Sequence, residues 1–336
     1  MKKFVALLSA AAIAVSLSAC GDKTEDRAAD AKNDGKYALK YNGDPGLVSP
    51  AELAEDLGYF KKVSLDYQGV AKGGPESIQF VATKQLDFGS AFSGAIIKSI
   101  EKNVKIKSVI TSYGSSQENY VGFFAKKDSN IKTAKDLINK KIAVNIRGAH
   151  YEMLLKQYFK SEGLTDKEIE TIEFVTLPIV NSEQAVINGQ VDLATLNNVF
   201  RDKALENGQT ELVFSDLDAV GGSYNAGGYF FREEFIKSNK AEVIDFTQGV
   251  AKAYKWMAET DDQTVISRME TIMKKRKRDE PIENLQYWKD SGVVTNGGKM
   301  EAEDYTRWLQ PLVDQKELKS TDVDVEKYYT NDFNPY

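Results

Sequence analysis

The sequence has few of the side chains that most often hold metals or carry covalent chemistry. Its 336 residues include one cysteine, Cys20, and one histidine, His150. A single cysteine allows no disulfide within the chain, so a large apolar core must stabilise the fold. One cysteine and one histidine also exclude an ordinary His/Cys zinc site, which takes several such ligands.

Long apolar runs and an excess of positive charge are also missing. The apolar stretch near the start of the chain is shorter than the ~20 residues of a transmembrane helix, and no later segment approaches that length. Lys and Arg number 44 against 50 Asp and Glu, and the resulting net charge of −6 is a poor balance for binding nucleic acid. A chain of 336 residues is long for one domain and suits two α/β units.

The first 20 residues are typical of an exported protein. Two lysines precede an apolar run that reaches Ala14, and small residues then lead into Cys20. This order predicts a secretory signal peptide over residues 1–19. Leu17–Cys20 resembles the lipobox of bacterial lipoproteins, which implies cleavage before Cys20, lipidation of its thiol, and a mature chain of net charge −8. The alternative is an ordinary signal peptide whose cysteine is incidental.

The segment after Cys20 has the composition of a linker. Residues 21–36 are charged or small and contain no large apolar side chain. Such a segment cannot bury a core, so residues 20–36 are predicted to be a lipidated cysteine followed by a flexible tether.

The folded part is predicted to be α/β. From Tyr37 onward, short apolar strands alternate with loops and amphipathic helices, and a second set with the same rhythm begins near Thr133. Ser49-Pro50 predicts a capped helix start, and Thr133 with Asp136 resembles a capping box. This repeated rhythm predicts a mostly parallel sheet in each set.

Two similar apolar segments separate and follow these sets. The segments are Tyr120–Ala125 and Gly227–Phe231, and both are rich in Phe and contain Gly. We interpret them as crossover strands between two lobes, with lobe 1 formed by 37–122 and 230–336 and lobe 2 by 123–229. The remaining chain is predicted to be mainly helical, in four helices: Lys240–Thr260, Asp262–Met273, Glu283–Ser291 and Glu301–Val313. The basic run Lys274–Arg278 is expected to be a solvated face.

Four stretches, in order, resemble the solute-binding proteins of ABC importers for sulfonates, taurine, nitrate and thiamine-pyrimidine precursors. They are Ala54–Lys62 with its Gly-Tyr-Phe, Gly73–Glu76 together with Lys84–Gly89, Ile131–Val144, and Ala185–Ala194. Together they span most of residues 37–235.

The resemblance implies the two-lobed, type II form of the periplasmic-binding-protein fold. It further implies hinge closure around one small molecule and delivery to the transmembrane subunits of a permease. On this interpretation the protein is a monomer without cofactors, held by its lipid on the extracytoplasmic face of the membrane, and it binds and releases without bond chemistry.

Ligands of open α/β sheets bind beyond the carboxyl ends of the strands, and this rule selects the candidate site residues. They are Asn42, Gly43, Gly73, Gly74, Ser90, Ser93 and Tyr113 from lobe 1, and Arg147, Gly148, His150, Asn181 and Asn197 from lobe 2. Each has a plain structural alternative: tight turns at the glycine pair and at Asn197-Asn198, and a helix cap or surface group at His150.

The chemistry of these loops leaves three ligand classes open. Glu76, Glu118 and Asp44, if they face the cleft, would suit a cationic or amine-bearing ligand. Helix starts, serine hydroxyls and Arg147 suit an oxyanion such as an aliphatic sulfonate, taurine or nitrate. Aromatic walls from Phe92, Tyr113 and Tyr224 suit a planar heterocycle such as a thiamine-precursor pyrimidine. The sulfonate and nitrate members commonly carry an aromatic residue and Pro where this chain has Asn197–Val199, which puts the exact ligand in doubt.

Two other functions remain as alternatives. A related branch of the fold resembles a pyrimidine-forming enzyme that uses pyridoxal phosphate and a histidine, a role for which His150 is the candidate. A lipoprotein that senses a ligand for a partner, without delivering it, is the other alternative.

Overall fold

The computed structural model describes residues 35–43, 46–278 and 280–336. The predicted signal peptide, Cys20 and most of the predicted tether lie outside the described residues. Within the described ranges, strands and helices alternate as the sequence predicts. None of the helices found there is long and apolar enough to span a membrane.

Ten strands and thirteen α-helices make up the described fold. The strands are β1 Tyr37–Gly43, β2 Val63–Val70, β3 Phe88–Phe92, β4 Ile106–Ser115, β5 Val121–Lys126, β6 Lys141–Val144, β7 Glu173–Thr176, β8 Leu193–Asn197, β9 Thr210–Ser215 and β10 Tyr224–Arg232. The helices are α1 Pro50–Asp56, α2 Gly74–Ala82, α3 Ser93–Glu101, α4 His150–Ser161, α5 Asp166–Glu170, α6 Ile179–Ile187, α7 Asn198–Asn207, α8 Asp216–Val220, α9 Glu233–Ser238, α10 Lys240–Glu259, α11 Asp262–Arg276, α12 Glu303–Thr306 and α13 Leu309–Asp314.

The two lobes have the same strand order, in one five-stranded sheet in lobe 2 and in a two-stranded and a three-stranded sheet side by side in lobe 1. In lobe 2 the order is β7-β6-β8-β5-β9, and β5 is antiparallel to both of its neighbours. In lobe 1, β2 pairs with β1, and β10 lies antiparallel between β3 and β4. The amide N of Asp87 donates to the carbonyl O of Lys40 at 2.9 Å and so brings β1 beside β3. The strand order is therefore the same in both lobes. The first two strands are exchanged, and the strand that enters from the other lobe, β10 in lobe 1 and β5 in lobe 2, lies between the third and fourth strands.

The chain passes between the sheets twice. Residues 116–120 connect β4 to β5, and residues 216–223 connect β9 to β10. β5 pairs with β8 from Val121 onward, and β10 pairs with β4 from Tyr224 onward. The predicted lobe boundaries at 122/123 and 229/230 thus fall inside strands, because an entering strand pairs with its new sheet along its whole length. We place the boundaries in the two connections instead.

Local capping signals in the sequence correspond to real helix starts. Ser49 accepts from the amide of Glu52, whose carboxylate accepts the amide of Ser49, and this closes a capping box at α1. Thr133 and Asp136 form the predicted box as well, although the helix they begin is a single 3-10 turn, Ala134–Leu137. Helix α6 begins at Ile179, directly after Pro178, and has no side-chain cap.

The last two predicted helices are mostly wrong. Glu283–Ser291 contains only a 3-10 helix, Ile282–Tyr287, after which the chain wraps the first connection. There the Asp290 carboxylate accepts from the Ser116 hydroxyl at 2.7 Å. The predicted helix Glu301–Val313 is divided into α12 and α13, because Pro311 has no N–H to bond the carbonyl of Arg307.

The basic run is solvated at its three lysines, as predicted, but not at its two arginines. The side chain of Arg276 is 9% exposed and lies between Glu52 at 3.0 Å and Glu280 at 2.7 Å. Arg278 contacts Glu52 at 3.1 Å, and its guanidinium lies 3.3 Å from the centre of the Tyr67 ring. These two arginines therefore attach the end of α11 to β1, β2 and α1.

We expect Arg276→Met to lower the free energy of unfolding by about 3 kcal/mol, because it leaves two buried carboxylates short of a cation. Lys275→Met is the matched control, since that side chain is 79% exposed and should change stability by no more than about 0.5 kcal/mol. Urea denaturation measures both, and equal effects would contradict a structural role for Arg276.

Candidate functional site

The carboxyl ends of the strands in the two sheets face each other across a cleft. Five helices begin there, directly after β2, β3, β6, β7 and β8 or their short loops: α2, α3, α4, α6 and α7. None of the five has a side-chain cap at its first turn. By contrast α1, α5 and α8 each begin with a capping box. The cleft is thus lined by helix starts whose N–H groups no side-chain cap occupies.

The predicted glycine pair is crowded on two sides. A Cβ on Gly73 would lie 2.3 Å from Cδ1 of Ile146, which belongs to lobe 2, and the φ angle of Gly73 is +153°. A Cβ on Gly74 would lie 2.8 Å from Cβ of Ala91. The two lobes therefore touch at Gly73, and no larger residue fits there without opening the cleft.

The other predicted residues of lobe 1 surround this contact. Ser90 donates from Oγ to Oγ of Ser112 at 2.8 Å, and Ser93 is the buried first residue of α3. Tyr113 is half-buried, with its ring against Gly227. These side chains place hydroxyl groups and one aromatic ring at the carboxyl ends of β3 and β4.

Asn42 and Gly43 lie at the end of β1, further along the same edge. Asn42 donates from Nδ2 to the carbonyl of Gly69 at 3.2 Å, and its buried Oδ1 has no hydrogen-bond partner among the described residues. Gly43 packs against the Tyr67 ring and the Arg278 guanidinium, so a side chain there would be crowded. This end of the cleft therefore contains Arg278, which the sequence predicts to be solvent-exposed.

In lobe 2, Arg147 is already paired. Its Nε donates to Oε2 of Glu152 at 2.8 Å and its Nη1 to the carbonyl of Phe174 at 3.2 Å. Burial alone would raise the pKa of Glu152, but bonds from Lys156, the amide of Gly148 and Arg147 lower it below its usual value. Arg147 is therefore not a free cation, but Glu152 also pairs with Lys156, so these three side chains together carry one net positive charge.

Gly148 connects the lobes through its backbone. The ammonium of Lys98, on α3 of lobe 1, donates to the carbonyl of Gly148 at 3.0 Å. Gly148 adopts a φ of +68°, and nothing lies within 4 Å of where its Cβ would be, so the turn itself favours glycine.

His150 is buried between the two lobes. It is the first residue of α4 in lobe 2, yet its ring stacks on Phe92 of lobe 1, with centroids 4.4 Å apart. Trp308 and Tyr113, also from lobe 1, complete the walls at 5.8 and 6.0 Å. Burial lowers the pKa of His150 to about 3, so the imidazole is neutral at physiological pH.

A buried carboxylate lies behind His150. Nε2 of His150 is 3.1 Å from the hydroxyl of Tyr224, which donates to Asp216 at 3.0 Å. The amide of Val121 and the hydroxyl of Ser115 also donate to Asp216. Burial raises the pKa of Asp216 to about 6 despite these donors.

The two predicted asparagines differ in position. Asn197 donates from Nδ2 to the Tyr151 hydroxyl at 2.9 Å, and the next residue, Asn198, has a φ of +50° that suits the predicted turn. Asn181 is exposed in the first turn of α6, away from the packed interface around His150.

Three residues that enclose the site were not predicted. Ile146 and Trp308 are apolar, and Trp308 reaches the cleft from about 200 residues further along the chain than its neighbours on β3, so no local pattern marks it. Asp216 follows β9 directly, and the rule applied to the other post-strand loops would have selected it.

A separate cavity of about 500 Å³ lies within lobe 1. Its walls come from the end of α10 and from residues 288–297, including Tyr254, Trp288 and Asp290. None of the predicted site residues lines it. Within the described ranges, no group of three or more His, Cys, Asp or Glu side chains is arranged to hold a metal ion.

Two α/β lobes of equal strand order, joined by two connections and facing each other across a cleft, define the periplasmic-binding-protein fold. The family model described as NMT1/THI5 like matches residues 48–264. That match covers more than half of the chain, so this protein belongs to the NMT1/THI5-like family, and the predicted family is confirmed. Among curated proteins, none matches the sequence.

Solved structures agree with this assignment at the level of the fold. The ligand-binding component of an ABC-type import system from Staphylococcus aureus aligns with a TM-score of 0.66 at 14% identity, over 88% of this chain and 97% of that chain. The periplasmic aliphatic sulphonate binding protein SsuA of Escherichia coli gives 0.64 at 15% identity, over 86% and 91%. The periplasmic nitrate-binding protein NrtA of Synechocystis PCC 6803 gives 0.67 at 11% identity, over 89% and 87%.

An enzyme shares the fold as well. The desulfurization enzyme DszB aligns with a TM-score of 0.61 at 12% identity, over 88% of this chain and 97% of that chain. The fold therefore does not by itself distinguish a binding protein from an enzyme.

Replacing Asp216 tests whether its carboxyl is buried as described. The folded state binds the carboxyl proton more tightly than the unfolded state, with a pKa of about 6 against 3.8. The stability that the folded state gains from this tighter proton binding is fully present below about pH 4 and is lost as the pH rises through 6. Relative to Asp216→Asn, the wild-type protein should lose about 3 kcal/mol over this window. Urea denaturation of both proteins at pH 4 to 7 measures the difference, and a constant difference would contradict the raised pKa.

Proposed function

We propose that this protein is the extracytoplasmic solute-binding protein of an ABC importer. It captures one small molecule between its lobes by hinge closure and passes it to the transmembrane subunits of a permease. The observation that carries this proposal is the set of five uncapped helix starts at the facing edges of two equivalent lobes, in a member of the NMT1/THI5-like family.

For the solute we propose an oxyanion, such as an aliphatic sulfonate, taurine or nitrate. N–H groups at uncapped helix starts and the hydroxyl of Ser112, which accepts the proton of Ser90 and keeps its own, are donors that suit such a group. Arg147 is paired with Glu152, and His150 is neutral, so neutral donors rather than a free cation would supply most of the recognition. SsuA and NrtA, which share the fold, are named for a sulphonate and nitrate.

A planar heterocycle, such as a thiamine-precursor pyrimidine, is the second candidate. The half-buried ring of Tyr113 lies at the carboxyl end of β4, beside the serine pair, and offers a surface for stacking. The weak positive charge of the cleft also favours an uncharged ligand over a strongly anionic one.

Calorimetric titration with taurine, an alkanesulfonate, nitrate and an aminopyrimidine should detect one binding site per chain. For an oxyanion, Ser112→Ala should weaken binding about fivefold to tenfold through a lost donor, whereas Ser99→Ala, in the last turn of α3, should leave it unchanged. For a heterocycle, Tyr113→Leu should weaken binding by a similar factor. No heat with any of these compounds would contradict both ligand assignments.

We also propose that binding occurs without bond chemistry. His150 is the single histidine of the chain, and it lies behind Phe92 with a strongly lowered pKa, a poor setting for acid–base catalysis. This argues against the pyridoxal-phosphate enzyme that the resemblance leaves as an alternative.

Lipidation of Cys20 is proposed to hold the protein beside its permease. We expect Cys20→Ser to release the protein from the membrane fraction without unfolding it, because it removes the predicted site of lipidation and alters none of the described residues. Fractionation of cells followed by a thermal melt of the released protein measures both effects. Continued membrane association of the variant would contradict the anchor.

A further inference from the structure

His150 is enclosed by the opposite lobe. It begins α4 of lobe 2, whereas Phe92, Tyr113, Tyr224 and Trp308, whose rings surround it, all belong to lobe 1. The His150 side chain is buried, and Trp308 is fully buried beside it. Opening the cleft would separate this imidazole from its aromatic walls and expose it to water.

The polar surroundings of His150 suit the neutral ring. The Tyr224 hydroxyl donates to Asp216, so it accepts from His150, and the neutral ring then has its proton on Nε2. The charged and titratable groups of the elements packed around it are Lys98 on α3, Tyr113 on β4, Arg147 before α4, Tyr151 and Glu152 on α4, Asp216 at α8, Tyr224 on β10 and Arg307 beside the Tyr224 ring. None of these carboxylates is free to pair with a cationic imidazole: Glu152 is occupied by Arg147 and Lys156, and Asp216 by its three donors. Lys98 pairs with Glu317 and Arg307 with Glu303.

We infer that His150 is a proton-controlled latch: the lobes close while its imidazole is neutral, and protonation of the imidazole opens them. The inference rests on the proposed function in one respect: it assumes that the lobes close when the solute binds. It adds that acidification releases the solute, whatever its chemical class.

The expected size of the effect follows from linkage. In the closed form the pKa of His150 is about 3, and in an open, hydrated form it returns to about 6.5. The ratio of closed to open protein is therefore constant above about pH 6.5 and falls up to tenfold for each pH unit below it, or about 30-fold at pH 5. Asp216 has the opposite effect on the ratio of closed to open protein. Because burial raises its pKa, protonation of Asp216 favours the closed form, in which the carboxyl is buried.

The test uses the unlipidated Cys20→Ser chain without solute. Because the chain has one histidine, the imidazole Cε1–H gives one NMR signal, and small-angle scattering reports the separation of the lobes. Between pH 7.5 and 3.5, we expect the signal to titrate well below 6.5 and the radius of gyration to increase with the same midpoint. His150→Phe, which keeps a ring against Phe92 and removes the titration, should stay compact across this range.

Two results would overturn the latch. One is a His150 signal that titrates near pH 6.5 with no change in the radius of gyration. The other is a His150→Phe variant that opens with the same midpoint as the parent chain. Asp216→Asn serves as the second variant and should open at a lower pH than the parent, because asparagine is uncharged at every pH and the uncharged form favours the buried arrangement.

The outcome is independent of the solute assignment. A protein that opens with protonation of His150 but binds none of the tested solutes supports the latch and contradicts the proposed ligands. A protein that binds a sulfonate and closes equally well at pH 7.5 and 4.5 contradicts the latch alone.

Discussion

All four strand ends at the junction of the lobes meet at one carboxylate. Ser115 ends β4, Val121 begins β5, Asp216 follows β9 and Tyr224 begins β10, and the first, second and fourth of these each donate a hydrogen bond to the Asp216 carboxylate. A carboxylate accepts several bonds at once, which a neutral side chain of this size does not. Because the two connections are only five and eight residues long, these bonds to Asp216 help to fix how the two sheets face each other. The positions of His150 and of the cleft loops depend on that relation.

The fold was predictable as far as local signals reach. The alternation of strands and helices, the capping boxes at Ser49 and Thr133, and the two Gly-bearing crossover strands are encoded within a few residues each. The irregular C-terminal segments were not predictable in this way, since helical composition from 283 to 291 gives way to contacts with a connection more than 170 residues earlier. The break in the last predicted helix could have been predicted, because Pro311 is evident in the sequence and has no N–H to donate to the preceding turn.

The candidate site was predictable in part, and for a different reason. The rule that ligands bind at the carboxyl ends of strands identifies loops, so it selected Gly73, Ser90 and His150 without knowledge of the fold. It does not show which side chains are already paired, as Arg147 is with Glu152. It also does not identify apolar partners such as Trp308, whose position depends on how the chain returns to lobe 1 after α11. Composition misassigned Arg276 and Arg278 because buried and solvated arginines have the same sequence signature.

The contact at His150 also bears on how strongly a solute must bind. The lobes already pack against each other through Phe92 and Trp308 on one side and through Ile146 at Gly73 in the middle. The protein's own contacts therefore already favour the closed form. A solute that binds the closed form only modestly more tightly than the open form is sufficient to complete closure. The same packing opposes release, because a closed form held by the chain itself persists after the solute is lost. A binding protein that must deliver its solute needs an interaction within the interface that can be weakened, and a titratable ring between aromatic walls is such an interaction.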